Sequence, residues 1–127
     1  MKRYHWLEFP FVLAVHDRQI AEHGGLTGIR DRGAIESAIA RPKNLAAYGD
    51  PDIALLGAAY AFGIAKDRGF ADGDKRTAWI ALRTFLAANG ESIAFDPFDA
   101  IRTVEALAAG ELDEEELARW VRERLAP

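Results

Sequence analysis

Residues 53–65, Ile-Ala-Leu-Leu-Gly-Ala-Ala-Tyr-Ala-Phe-Gly-Ile-Ala, carry no charge and are small or apolar on nearly every side of a helix. Such a segment has no face suited to water, so other elements must surround it. Apolar positions recur at helical spacing through almost all of the remaining chain, punctuated by glycine and proline, and no alternating run is long enough for a large sheet. The pattern predicts an all-α fold, a compact bundle of about six helices with the segment from about Pro51 to Lys66 at its centre. Half of the 127 residues are apolar and 10% are aromatic, which is material for one core rather than two. A single domain over residues 1–127 is expected.

Local signals place the other helices. A first helix from about Phe11 to His23 is stopped by Gly24-Gly25, and a second opens after the cap candidate Asp31 and ends near Arg41-Pro42. A fourth, from about Lys75 to Asn89, sets Ala78, Ala81, Leu82, Phe85 and Leu86 on one face and stops at Asn89-Gly90. Asp96-Pro97 opens a fifth, and Asp113 with Glu116 forms a near capping box for the last. Two short extended stretches, Tyr4 to Leu7 and Ser92 to Phe95, could pair weakly with each other.

Composition narrows the functional classes. Without cysteine there is no disulfide scaffold, thiol nucleophile or thiolate metal site, and a reducing cytoplasm suits the chain. Twenty acids against 16 bases, a net charge of −4, argue against a general nucleic-acid binder. The two amino-terminal bases, Lys2 and Arg3, are not followed by the apolar core of a signal peptide, and no window approaches the roughly 18 apolar residues of a membrane span. The expectation is a cytoplasmic protein with no membrane and no direct nucleic-acid contact.

The chemistry is concentrated in Phe70-Ala71-Asp72-Gly73-Asp74-Lys75-Arg76-Thr77, between the third and fourth helices. Gly73 allows a tight turn and close approach of backbone to an anion, and the opening N–H groups of the next helix present its positive dipole end. Lys75 and Arg76 stand where the dipole disfavours bases, so an anion contact accounts for them better than a solvated helix start. Asp72 reads from the residues alone as a turn former. The spaced acids and terminal glutamate of a calcium loop are absent.

This stretch resembles the signature of the Doc branch of the Fic/Doc (Fido) superfamily, His-x-Phe-x-Asp-Gly/Ala-Asn-Lys-Arg. The likeness continues in His16-Asp17, Gly24-Gly25-Leu26, Glu36 to Pro42, Ala58 to Ala61, Asn89-Gly90 and Ala109 to Leu112, and it covers nearly the whole chain. It implies the Fido fold and the toxin of a toxin–antitoxin module. The implied activity is transfer of the terminal phosphate of ATP, with Mg2+, to a threonine or serine of a translation elongation factor. A cognate antitoxin is the implied partner. Carried onto this sequence, the phosphate-binding positions are Gly73, Asp74, Lys75 and Arg76, the catalytic positions are Arg68, Asp72 and Asp74, and Asp72 is the magnesium candidate. Lys75, where the related Fic branch has a second glycine, favours the kinase over nucleotidyl transfer.

Two letters depart from that signature. Arg68 replaces the histidine that takes the proton of the target hydroxyl, and a guanidinium has no acceptor for it. Asp74 replaces an asparagine, setting a carboxylate where phosphate is expected. At a separation of about 4 Å and an effective dielectric of about 20, that repulsion amounts to ~4 kcal/mol, roughly a thousandfold in binding. Impaired catalysis is expected, and the alternative is a non-catalytic Fido protein that binds nucleotide or an antitoxin helix. An Arg68–Asp74 ion pair across the loop is a structural alternative for both letters. His16 becomes a candidate base only if the fold brings it to Arg68, and is otherwise a satisfied structural histidine. The glycine-rich Gly24 to Asp31 is either a compact turn or, by resemblance, a flap beside the cleft. Trp6, Trp79 and Trp120 are read as core or groove residues.

Overall fold

The computed structural model describes residues 3–127, so Met1 and Lys2, the first of the amino-terminal bases, lie outside it. The described residues form six helices: α1 (Phe9–His23), α2 (Arg32–Tyr48), α3 (Ile53–Asp67), α4 (Asp74–Ala88), α5 (Pro97–Ala108) and α6 (Glu114–Arg124). The uncharged segment is α3, and its residues from Leu56 to Ala61 are all buried. It packs against α2, α4, α5 and α6, as an element apolar on every side must.

Its small residues set how closely the neighbours approach. A Cβ on Gly63 would stand 2.9 Å from Ala38 Cβ of α2, and one on Gly57 would stand 2.7 Å from Leu82 Cδ1 of α4. The glycines thus let two helices close on α3, and Leu82, Phe85 and Leu86 fill the α4 side of that contact. Asp52 caps α3 through Leu55 N–H (3.0 Å) and holds the Arg122 guanidinium of α6 at 2.6 Å.

The caps at Asp31, Asp96 and Asp113 form as expected, and the Asp113–Glu116 box is complete in both directions. Two expectations are corrected. α2 does not end at Arg41-Pro42 but continues to Tyr48. Pro42 leaves one intrahelical bond unmade, yet it is fully buried, and packing outweighs a local break. The Ser92–Phe95 stretch does not pair with Tyr4–Leu7. Ile93 bridges instead to Leu125, with Ala94 N–H on Arg124 O (2.9 Å) and Ala126 N–H on Ser92 O (2.8 Å). The amino-terminal stretch is held by side chains: Asn89 exchanges two hydrogen bonds with His5, and Leu7 N–H donates to the Tyr60 hydroxyl at 3.0 Å. Burial pushes the Tyr60 phenol up to about 12.

Candidate functional site

α3 ends by turning left-handed. Arg68 adopts φ 49° and ψ 48°, a conformation uncommon for a residue with a side chain, and this bend carries the chain out of the core. Gly69 follows against α2, where a Cβ would overlap Ile35 Cγ1, and its carbonyl accepts from Arg30 and Asp31 N–H at 2.8 and 2.9 Å. Ile29 and Phe70 form an antiparallel bridge, and Ala71 N–H donates to Gly28 O at 3.1 Å. The glycine-rich segment is therefore a strip hydrogen-bonded along the motif loop.

Beneath the loop, Phe70 is buried and stacks on the His16 ring, centroids 3.8 Å apart and planes within 7°. His16 Nε2 lies 2.7 Å from Asp72 O, so that nitrogen carries the proton and donates it to the carbonyl. The ring is 1% exposed, and its other nitrogen lies 3.8 Å from Asp17. His16 thus reaches the loop as a clamp on its backbone, the structural role expected of it, and presents no free base to the cleft.

The two loop acids accept from backbone N–H groups, Asp74 half-buried and Asp72 exposed. Asp72 accepts from Gly73 N–H at 2.9 Å with one oxygen and from Leu26 N–H at 3.3 Å with the other, pinning the strip to the loop. Asp74 Oδ1 accepts from Phe70 N–H at 3.3 Å. Burial pushes the Asp74 carboxyl above its ordinary range, opposed by that N–H and by the nearby His16, Arg30 and Arg68. The Arg68–Asp74 ion pair does not form. The Arg68 guanidinium instead reaches Ala108 O of α5 at 3.5 Å, because the left-handed turn directs the side chain across the cleft while Asp74 is held by the loop backbone.

Gly73, at φ 78°, precedes α4, and no side chain caps that helix. Its first-turn N–H groups open beside Lys75 and Arg76. Lys75 Nζ contacts both Glu105 carboxylate oxygens at 3.1 Å, whereas among the described residues no ion pair holds Arg76. Between this end of α4 and α5 lies a cleft of about 890 Å3, with Arg68, Lys75 and Arg76 at one end and Trp79, Phe95 and Ile101 toward the other.

Its chemistry suits an anion: unpaired helix N–H groups, a glycine admitting close approach, and cations converging from α3 and α4. A divalent cation is supported less directly. Among the described residues no three His, Asp or Glu side chains cluster to hold one, and both Asp72 oxygens already accept from loop N–H groups.

The Fic/DOC family model matches residues 6–86, more than half of the chain and a span that contains the strip, α3, the loop and α4 as far as Leu86. The chain belongs to the Fic/DOC family. It is similar to the protein kinase doc of Escherichia phage P1, 35% identical over 112 residues that cover 87% of this chain and 88% of that protein. It is also similar to the toxin Doc of Mycolicibacterium smegmatis, 38% identical over 88 residues, 66% of this chain and 65% of that one.

In this Fic/DOC protein all the positions singled out in the sequence, Arg68, Asp72, Gly73, Asp74, Lys75 and Arg76, line one cleft. Trp79 is a groove residue, as read. Glu105 escaped notice. Glu105 meets Lys75 only through tertiary structure, 30 residues away, and Arg30 donates to Arg68 O from the strip. One signal for the α5 wall was available: Pro97, Ile101, Val104 and Ala108 repeat at helical spacing beside the buried stripe of Ala100, Thr103 and Leu107. Among the described residues no helix is long and apolar enough to cross a membrane.

Proposed function

We propose that this chain is a Doc-type toxin of a toxin–antitoxin module whose cleft binds ATP by its phosphates and whose transfer step is suppressed at Arg68 and Asp74. The observation that carries the reading is the uncapped amino end of α4, opening on a cleft ringed by Arg68, Lys75 and Arg76 with no imidazole lining it.

In this reading the N–H groups after Gly73 and the Arg76 guanidinium hold phosphate oxygens, Lys75 leaves Glu105 to join them, and Arg68 adds charge from the opposite wall. Bound ATP supplies the transferable terminal phosphate; Asp72 would be the residue to hold Mg2+, which would offset phosphate charge. A threonine or serine hydroxyl of a translation elongation factor is the acceptor. Its proton needs an acceptor of its own: Arg68 offers none, and the protonated His16 nitrogen is engaged by Asp72 O. The chain thus retains the means to bind and lacks an imidazole in the cleft to take that proton. A cognate antitoxin and a cytoplasmic setting belong to the same reading.

The test is transfer from gamma-labelled and alpha-labelled ATP to a bacterial extract, by this chain and by its Arg68→His, Asp74→Asn variant. Gamma label on a single band with the double variant alone is expected. Label transferred by the unaltered chain defeats the suppressed-kinase reading, and alpha label defeats the assigned nucleotide orientation. A second reading, a purely binding Fido protein, rests on the paired change at Arg68 and Asp74, and gains if the double variant binds ATP but transfers nothing.

A further inference from the structure

Two consecutive carbonyls at the end of α3 are gripped by one residue of the strip. Arg30 N–H donates to Gly69 O at 2.8 Å, and the Arg30 guanidinium donates through Nη2 to Arg68 O. Among the described residues Arg68 is the one residue other than glycine with a positive φ, and such a conformation persists only where its surroundings over-determine it. Arg30 is itself anchored. Asp31 N–H joins it on Gly69 O at 2.9 Å, and the Asp31 carboxylate caps α2 by accepting from Ala34 N–H at 3.1 Å, so the arm starts from the fixed end of a helix. Although Asp31 is its neighbour in sequence, Arg30 makes no ion pair among the described residues. Its side chain turns to a backbone carbonyl instead, in a charge-assisted bond that constrains the shape of the chain.

We infer that Arg30 is a positioning residue whose guanidinium holds the left-handed turn at position 68 and so sets the direction in which that side chain crosses the cleft. This extends the transfer reading above to a residue outside the motif, and rests on it only for the kinetic consequence. The Arg68 carbonyl belongs to the peptide plane whose rotation is the ψ of Arg68, so a donor fixed on that oxygen fixes ψ. The backbone bonds at Gly69 O do not depend on the side chain at position 30 and hold the strip whatever stands there. Without the guanidinium the plane is free to tip, and the bonds that follow it, Phe70 N–H to Asp74 and Ala71 N–H to Gly28 O, loosen with it. Arg30 also lines the cleft and lies near Asp74, so its hold on the turn has to be told apart from its charge. A charge acting in the cleft shows in ligand affinity, and a hold on the turn shows in the loop itself.

The experiment follows amide hydrogen exchange at Phe70 and Ala71 by NMR in the intact chain, in Arg30→Met and in Arg30→Lys, and repeats the methionine substitution together with Arg68→Gly. Arg30 is exposed, so the core is untouched. Methionine keeps the stem and removes the charge and every donor, whereas lysine keeps both at nearly the same reach. The expected result is exchange about tenfold faster in Arg30→Met, most of the protection restored in Arg30→Lys, and a smaller effect of methionine beside Arg68→Gly, whose turn needs no hold. Unchanged exchange at both amides in Arg30→Met overturns the proposal. So does an acceleration as large beside Arg68→Gly as in the intact chain, since it reports a general loosening of the strip. In the Arg68→His, Asp74→Asn background, Arg30→Met should lower kcat about tenfold and leave the KM for ATP within about twofold. A raised KM with kcat kept makes Arg30 a ligand contact and overturns the positioning role. Absence of transfer by that background itself overturns the transfer reading, while the exchange rates still decide whether Arg30 holds the turn.

Discussion

Lys75 Nζ stands 3.1 Å from each carboxylate oxygen of Glu105, an ion pair that spans the mouth of the cleft from α4 to α5. Both side chains are at least half exposed, so the pair itself adds little to folding stability, about 0–1 kcal/mol. Its consequence lies in binding, since an incoming phosphate competes with Glu105 for the same ammonium. Glu105→Gln should leave the urea midpoint nearly unchanged and tighten tripolyphosphate binding, by up to about fivefold in dilute salt and less in concentrated salt. Unaltered affinity in dilute salt means that Lys75 does not contact the anion.

Arg68 holds a left-handed backbone conformation that costs an L-residue roughly 1–2 kcal/mol and a glycine little. Its side chain gives back one long hydrogen bond to Ala108 O. Arg68→Gly should therefore stabilise the fold by about 1 kcal/mol in urea unfolding while weakening ATP binding through loss of a cleft cation. A fall in stability refutes the strain, and stronger ATP binding refutes the electrostatic role.

His16 supports the loop from below, and its removal should be felt in folding before chemistry. His16→Ala leaves the Asp72 carbonyl without its donor and removes the buried ring on which Phe70 stacks, so a loss of about 2–4 kcal/mol is expected. His16→Gln, whose amide can still donate, should recover part of it. In the Arg68→His, Asp74→Asn background, transfer by folded His16→Gln should persist. Its disappearance there, with stability retained, assigns His16 a proton-transfer role.

Much of this arrangement was legible in the sequence where the signal is local. The uncharged run of α3 announced its central position, and Asp31, Asp96 and Asp113 announced helix starts because a cap acts within three residues. Pro42 misled for the same reason: its local cost is real, but the burial that outweighs it comes from distant residues. The phosphate loop could be read because glycine, bases and helix start are contiguous. Glu105, the His16 clamp and the Trp79–Phe95 wall could not, since each meets the loop or cleft from another helix or across a long stretch of chain. The engagement of Asp72 and Asp74 depends on the N–H groups of Gly73, Leu26 and Phe70, whose free directions only the folded backbone fixes.

The titration of Asp74 links the altered motif to pH. Burial raises its carboxyl pKa in the folded protein above the unfolded value. The favourable contribution of the protonated form is therefore complete below the unfolded carboxylate range and is lost as pH rises through the raised folded pKa. Asp74→Asn retains an oxygen to accept from Phe70 N–H and cannot ionise, so its stability advantage over the unaltered chain should grow across that window and level off above it. Anion binding should follow the same proton. As pH falls from neutral through the raised pKa, neutralising Asp74 removes its repulsion, and the unaltered chain should approach the tripolyphosphate affinity of Asp74→Asn. Taking the ratio of the two proteins at each pH cancels the ligand's own titration. A ratio independent of pH from neutrality down to the edge of acid unfolding means that the Asp74 charge, turned into the loop, is not felt by the anion.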